Sequence, residues 1–145
     1  MLKINYPENV LRIKKEKEKE FIFDEVRRKW VIITPEEWVR QNFLQYLLKM
    51  MQYPASLIAV EKMIRLGELK KRCDIVVYKQ ANPWMIVECK EMSLPLNEAV
   101  LRQILHYNIA IPSAYLVITN GVSHYAFERK EGQLIEVDKL PSFIQ

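Results

Sequence analysis

Arg72-Cys73-Asp74-Ile75-Val76-Val77-Tyr78 and Trp84-Met85-Ile86-Val87-Glu88-Cys89-Lys90 are two apolar runs joined by a short linker containing Asn82-Pro83. Rich in Val, Ile and aromatic residues, they read as the two arms of a β-hairpin. If Tyr78 lies opposite Trp84, Asp74 falls opposite Glu88 and Cys73 opposite Cys89. Strand side chains alternate between faces, so Glu88 and Lys90 share one face with Asp74 while Cys89 points to the other. Directly opposed residues keep their Cβ atoms about 4.5–5.5 Å apart. Two carboxylates that close, in an otherwise apolar hairpin, repel each other and lose hydration unless a cation lies between them.

Mg²⁺ is the cation that suits such a pair, with Mn²⁺ as a substitute, because it takes oxygen ligands, binds through one or two carboxylates and keeps waters and substrate phosphate. That chemistry is phosphodiester hydrolysis. The ion would polarise the phosphate and acidify a water, and the ammonium of Lys90 would orient that water or stabilise developing negative charge. The bland alternative makes Asp74 and Glu88 solvent-facing strand acids and Lys90 the partner of one of them. Against it stand the apolar surroundings of both acids and the register that brings them together.

Upstream, Thr34-Pro35-Glu36-Glu37 is a helix start, with Thr34 as N-cap, Pro35 at the first position and Glu37 completing a capping box. The helix is expected to run to about Met51, with Val39, Phe43, Tyr46, Leu47 and Met50 on its core stripe. Glu36 and Arg40 fall on that stripe too. A first strand is expected from about Leu57 to Ile64, with Glu61 exposed, so that three strands form an antiparallel meander. Downstream, Asn97 caps a second helix bearing Val100, Leu101, Ile104, Tyr107 and Ile111, which Pro112 ends. Tyr115 to Thr119 reads as a buried strand, parallel to a meander strand through a crossover, and His124 to Phe127 and Leu134 to Val137 as closing strands.

At the front, the mixed-sign run Arg12 to Glu20 reads as a solvated arm over residues 1–20, leaving 21–145 as a single domain. Phe21 to Asp24 and Lys29 to Ile33 form a candidate hairpin. The fold class is therefore α/β of the mixed α+β kind: helix, three-stranded antiparallel meander, helix and strand, with helices flanking a mixed sheet.

Half of the 145 residues are apolar and 28% are charged, a folded rather than a disordered composition. A net charge of +4 tilts the choice of partner toward a polyanion. No membrane-length apolar run and no secretory h-region occur, so no membrane role is expected and the location expected is cytoplasmic. Cys73 and Cys89 are too few for a disulfide framework and read as small core residues. His106 and His124 lack metal-ligand spacing, and no Ser/His/Asp or Cys/His nucleophile can be assembled. Lys70 and Lys71 are expected in a solvated turn, with Arg72 able to reach phosphate.

Asp74 followed by Glu88-Cys89-Lys90 on the next strand resembles the PD-(D/E)xK nuclease signature. The wider strings Thr34-Pro35-Glu36-Glu37-Trp38-Val39-Arg40-Gln41, Arg72 to Val77 and Val87 to Lys90 are similar to the N-terminal nuclease domain of type I restriction enzyme R subunits. The resemblance runs from about Thr34 to Gly121 and implies a restriction-endonuclease-like core, magnesium-dependent DNA cleavage, and Asp74, Glu88 and Lys90 as catalytic residues. It also implies an acidic metal ligand from the first helix, for which Glu36 is preferred to Glu37. Gln103 and Tyr107, in Gln103-Ile104-Leu105-His106-Tyr107, resemble the QxxxY element of exonuclease-like branches, implying that they support the site or touch the DNA backbone, as Arg72 and Arg40 would. Cys73 stands where the motif name has Pro. These residues hold no GxxxxGK phosphate loop, so no ATP-driven motor is expected among them. A homodimer or a recruiting partner protein is compatible with the resemblance, as is a non-cleaving binding module on the same fold.

Overall fold

In the computed structural model, which describes residues 1–8 and 10–144, two sheets share one chain. The larger is six-stranded, in the order β4 (Ile58–Leu66), β5 (Leu69–Lys79), β6 (Asn82–Cys89), β7 (Tyr115–Thr119), β8 (His124–Lys130) and β9 (Gln133–Val137). Helix α1 (Pro35–Gln45) precedes it and helix α2 (Glu98–Asn108) carries the crossover that makes β6 and β7 parallel, while all other neighbours are antiparallel. The mixed α+β class and the element order are as the sequence predicts.

Each face of the sheet carries its own apolar core. On one, Val39, Phe43, Leu44 and Leu47 bury against Ile75, Val77, Met85, Val87, Cys89 and Val117. On the other, Leu96, Ile104 and Ile111 meet Cys73, Val76, Ile86, Leu116 and Ile118. This split follows strand alternation, and it assigns α1 to the first face and α2 to the second. Both cysteines are buried and free, as expected. They lie in different cores, however, so Cys73 does not face Cys89.

Thr34 Oγ1 accepts the Glu37 amide at 3.0 Å, and Asn97 Oδ1 accepts that of Val100 at 2.9 Å, so both N-caps form. The capping box closes on one side only, because the Glu37 carboxylate is drawn into ion pairs with Arg27 and Arg40. Past Gln45 the helix widens into a π-turn over Tyr46–Met50, which shifts the helical phase and leaves Met50 exposed rather than in the core stripe. On α2 the same kind of correction applies to Tyr107, which is 62% exposed while Asn108 is buried. Arg129 of β8 fixes the end of α2, donating to the carbonyls of Ile109, Ile111 and Ser113 at 2.6–3.0 Å.

The smaller sheet is three-stranded and antiparallel: β1 (Ile13–Glu16), β2 (Lys19–Asp24) and β3 (Lys29–Ile32). The expected hairpin of β2 and β3 is present, and β1 adds a strand inside the stretch read as a charged arm. Its Lys14-Lys15-Glu16 has no apolar alternation to betray it. Neighbouring aromatics hold it instead, with Lys14 Nζ 4.6 Å from the Trp30 ring.

Candidate functional site

The β5–β6 ladder pairs Ile75 with Val87, Val76 with Ile86 and Val77 with Met85, the expected register at the site end. At the far end a bulge between Val77 and Tyr78 sets Tyr78 opposite Pro83, not Trp84. The expectation that Asp74 shares one face with Glu88 needs correcting. Along β5, Cys73 packs on the α2 side and Ile75 on the α1 side, so two residues of like parity face opposite ways and the strand turns over at Asp74. Opposite that point on β4, Glu61 adopts φ +52° and drops out of the ladder between the pairs Val60–Ile75 and Lys62–Cys73. The irregularity turns Asp74 toward α1.

Asp74 Oδ1 accepts from Arg40 Nη2 at 2.7 Å, and its Oδ2 accepts from the backbone N–H of Cys89 at 2.8 Å. Glu88, in step with Ile86, leans toward α2: Oε2 accepts from Asn108 Nδ2 at 3.0 Å, and Oε1 lies 3.4 Å from Lys71 Nζ and 3.8 Å from Lys90 Nζ. The Lys90 amide bonds Thr119 O of β7 at 2.8 Å, extending the parallel pairing past the end of β6. Although tied to different helices, the two acids open on one cavity of about 390 Å³, lined also by Glu36, Arg40, Glu61, Arg72 and Lys90. An adjoining cavity of about 430 Å³ shares Glu88 and Lys90 and runs along α2 past Gln103, Ile104 and Tyr107. All eight residues singled out from the sequence thus line one or the other: Asp74, Glu88, Lys90, Glu36, Arg40 and Arg72 the first, Gln103 and Tyr107 the second.

Charge on the α1 side is dense. Arg40 is buried, pairs with Glu37 at 2.7 Å and Glu61 at 3.2 Å, and stands 3.5 Å from Glu36. Burial alone would lower its pKa, but the hydrogen bond and charge of Asp74, with Glu37, raise it above the ordinary arginine value, so the cation is permanent. Burial pushes the Glu36 carboxyl up, and the charge of Asp74 pushes it further, against the pull of Arg40 and Lys90. Burial, then the Asp74 charge, also drives the Cys89 thiol well up, which keeps it protonated and inert.

Four participants escape sequence reasoning. Glu61 is only partly exposed and bridges Arg40 and Arg72. Lys71, expected in a solvated turn, is on β5 beside Glu88. Asn108 reads as a helix-end polar residue, and only its burial against Glu88 reveals it. Asp24 is fully buried, and Arg27 binds both it, at 2.8 Å, and Glu37, at 3.2 Å, with Gln41 joining the two acids. This network anchors the small sheet to α1. Burial disfavours the Asp24 anion, yet hydrogen bonds from Arg27 and Gln41 outweigh it and lower its pKa.

The donor set suits a hard cation. Asp74 and Glu88 offer only oxygen, and Glu36 adds a third carboxyl to the lining of the same cavity. Among the described residues no three His, Cys, Asp or Glu side chains are already gathered as a metal cage. Mg²⁺ held by one or two carboxylates with water and phosphate needs none.

A mixed α+β domain with an acidic and basic cavity at the end of its β5–β6 hairpin, lined by Glu36 and Arg40 of α1, defines the class of protein. A family model described as type I restriction enzyme R protein N terminus (HSDR_N) matches residues 35–141, most of the chain, and the chain belongs to that family. No curated protein and no solved structure matches. No helix among the described residues is long and apolar enough to cross a membrane.

Proposed function

We propose that this chain is a metal-dependent nuclease of the PD-(D/E)xK type, built on a restriction-endonuclease-like core, that hydrolyses phosphodiester bonds of DNA. The observation that carries the reading is that Asp74, Glu88 and Lys90 open on one cavity beside α1 in a member of a restriction enzyme R protein family. Asp74 and Glu88 would hold Mg²⁺, or Mn²⁺ in its place, with Glu36 as the additional acid. When bound, the ion supplies polarisation of the scissile phosphate and a water acidified toward hydroxide.

The protein's own groups do the rest. Arg40 aims Asp74 through its 2.7 Å hydrogen bond, and the acids around it, Asp74 first, hold its own charge against burial. Lys90, a third exposed and held at its backbone by β7, presents an ammonium to the cavity, where it orients the attacking water or stabilises charge on the phosphate. Arg72 contributes a phosphate contact from the rim, and Gln103 and Tyr107 line the path of the DNA backbone along α2. Cutting both strands would call for a homodimer or a recruiting partner.

The test is DNA cleavage with magnesium by folded Asp74→Ala and Lys90→Ala variants, for which loss of cutting is expected. Unchanged cutting removes the mechanism. One observation favours the rival reading of a non-cleaving nucleic-acid module: both acids already have cationic partners within the chain, Arg40 for Asp74 and Lys71 for Glu88. Calorimetric titration with Mn²⁺ separates the two, since a binding module has no need of a divalent site at Asp74 and Glu88.

A further inference from the structure

The small sheet has a face that the cavity chemistry does not use. In its register Lys14 lies beside Phe21, Phe21 beside Ile32, and Phe23 beside Trp30, so these side chains share the outer surface. Ile22 and Asp24 alternate inward, both fully buried. The Phe23 and Trp30 rings meet edge to face at 5.4 Å. Over them lie cations: the Arg12 guanidinium 4.5 Å from the centre of Phe23, Lys14 Nζ 4.6 Å from Trp30, and the Arg28 guanidinium 5.9 Å from Phe23. Residues 12–30 hold eight Lys and Arg against five Asp and Glu, three of the four net positive charges of the chain. One of those acids, Asp24, is spent internally on Arg27, and Glu16 pairs with Lys14 at 3.3 Å.

Only partly buried rings interleaved with solvent-accessible cations have the chemistry of a single-stranded nucleic-acid platform, in which bases stack on the π-faces and phosphates take the cations. Ring-bound Lys14 can exchange a π-face for a phosphate, the stronger partner, and so uncover Trp30 for a base. A duplex hides its base faces and has no use for Trp30. The three strands also precede the segment matched by the family model, which starts at residue 35, while the Asp24–Arg27–Glu37 network holds them firmly to α1. We propose that the outer face of β1–β3 binds single-stranded nucleic acid, with Trp30 and Phe23 stacking bases and Arg12, Lys14 and Arg28 neutralising the backbone.

This proposal does not rest on the cavity being catalytic, and it is tested without divalent ion so that the two can fail separately. Fluorescence anisotropy of a labelled oligo-dT strand with the full chain in EDTA is the measurement, beside a matched duplex and a strand of the same length with abasic sugars. Expected are binding of oligo-dT in preference to both controls, about tenfold weakening by Trp30→Ala, the scale of one lost stack, and a shallower salt dependence for the Arg12→Gln/Lys14→Gln double variant. Arg12 is exposed, and the double variant leaves every buried residue in place, so it remains informative where Trp30→Ala does not fold. Absence of binding, equal binding of the abasic strand or of the duplex, or oligo-dT affinity and salt dependence unchanged in the folded double variant each overturn the proposal.

Discussion

The two faces of the six-stranded sheet are covered in different ways. On the α1 face, Val39, Phe43, Leu44 and Leu47 are all but inaccessible, and a lattice of buried charge running through Arg27, Glu37 and Arg40 ends on Asp74. On the α2 face only Ile104 and Asn108 of the helix are buried, and Tyr107 stands out into solvent above the second cavity. One helix is a fixture that positions an acid, and the other leaves room for a ligand. Stability and access are thus divided between opposite sides of the same hairpin.

Truncating one core residue from each face tests the contrast most severely: Phe43→Ala should cost about 4 kcal/mol and Ile104→Ala about 2 kcal/mol, the second smaller because the looser α2 side can close up. Equal losses would erase the distinction. Removing Arg40 tests the fixed side alone. Arg40→Ala takes the shared cation from buried Glu37, which keeps Arg27, and from part-buried Asp74, which keeps the Cys89 amide, and should cost about 3 kcal/mol in denaturant unfolding, the low end for a broken buried pair.

Acid should also act on the α1 side. His124 is buried beside Phe43 with its Nδ1 2.7 Å from Thr119 Oγ1, and burial lowers its pKa from 6.5 to about 4. Its folded pKa lies below the unfolded one, so the unfolded chain takes up the proton first. Stability should therefore be intact above pH 6.5 and fall by about 3 kcal/mol between pH 6.5 and 4. Unfolding curves of His124→Gln across that window should lack this part of the decline. At the small end, Tyr107→Ala should change stability by less than about 0.5 kcal/mol, since the ring is exposed, yet weaken DNA cleavage if it lines the substrate path.

How much of this could be read in advance depends on whether the signal was local. The caps at Thr34 and Asn97 and the pairing of Ile75 with Val87 follow from side-chain type and alternation, and both were legible. That Glu36 and Arg40 line the same cavity was legible because helical spacing put both on one stripe. Long-range compensation was not. The burial of Asp24 depends on Arg27 and on Gln41 from another element, and the turnover of β5 at Asp74 depends on an unusual φ at Glu61 across the ladder. Likewise β1 is a strand because Trp30 and Phe21 receive its lysine, a tertiary fact written nowhere in Lys14-Lys15-Glu16.

The hydrogen bonds around Asp74 have a practical consequence for anyone altering it. Arg40 and the main-chain amide of Cys89 occupy one oxygen each, and both can only donate. Asparagine, the customary size-matched substitute for aspartate, has just one oxygen to share between them, so its amide group must confront a second N–H. At Glu88 the neighbours Lys71, Lys90 and Asn108 Nδ2 are donors as well, and glutamine meets the same conflict. A defect in either amide variant would mix lost charge with a clash of donors, and an alanine, which leaves space for water, is the cleaner probe.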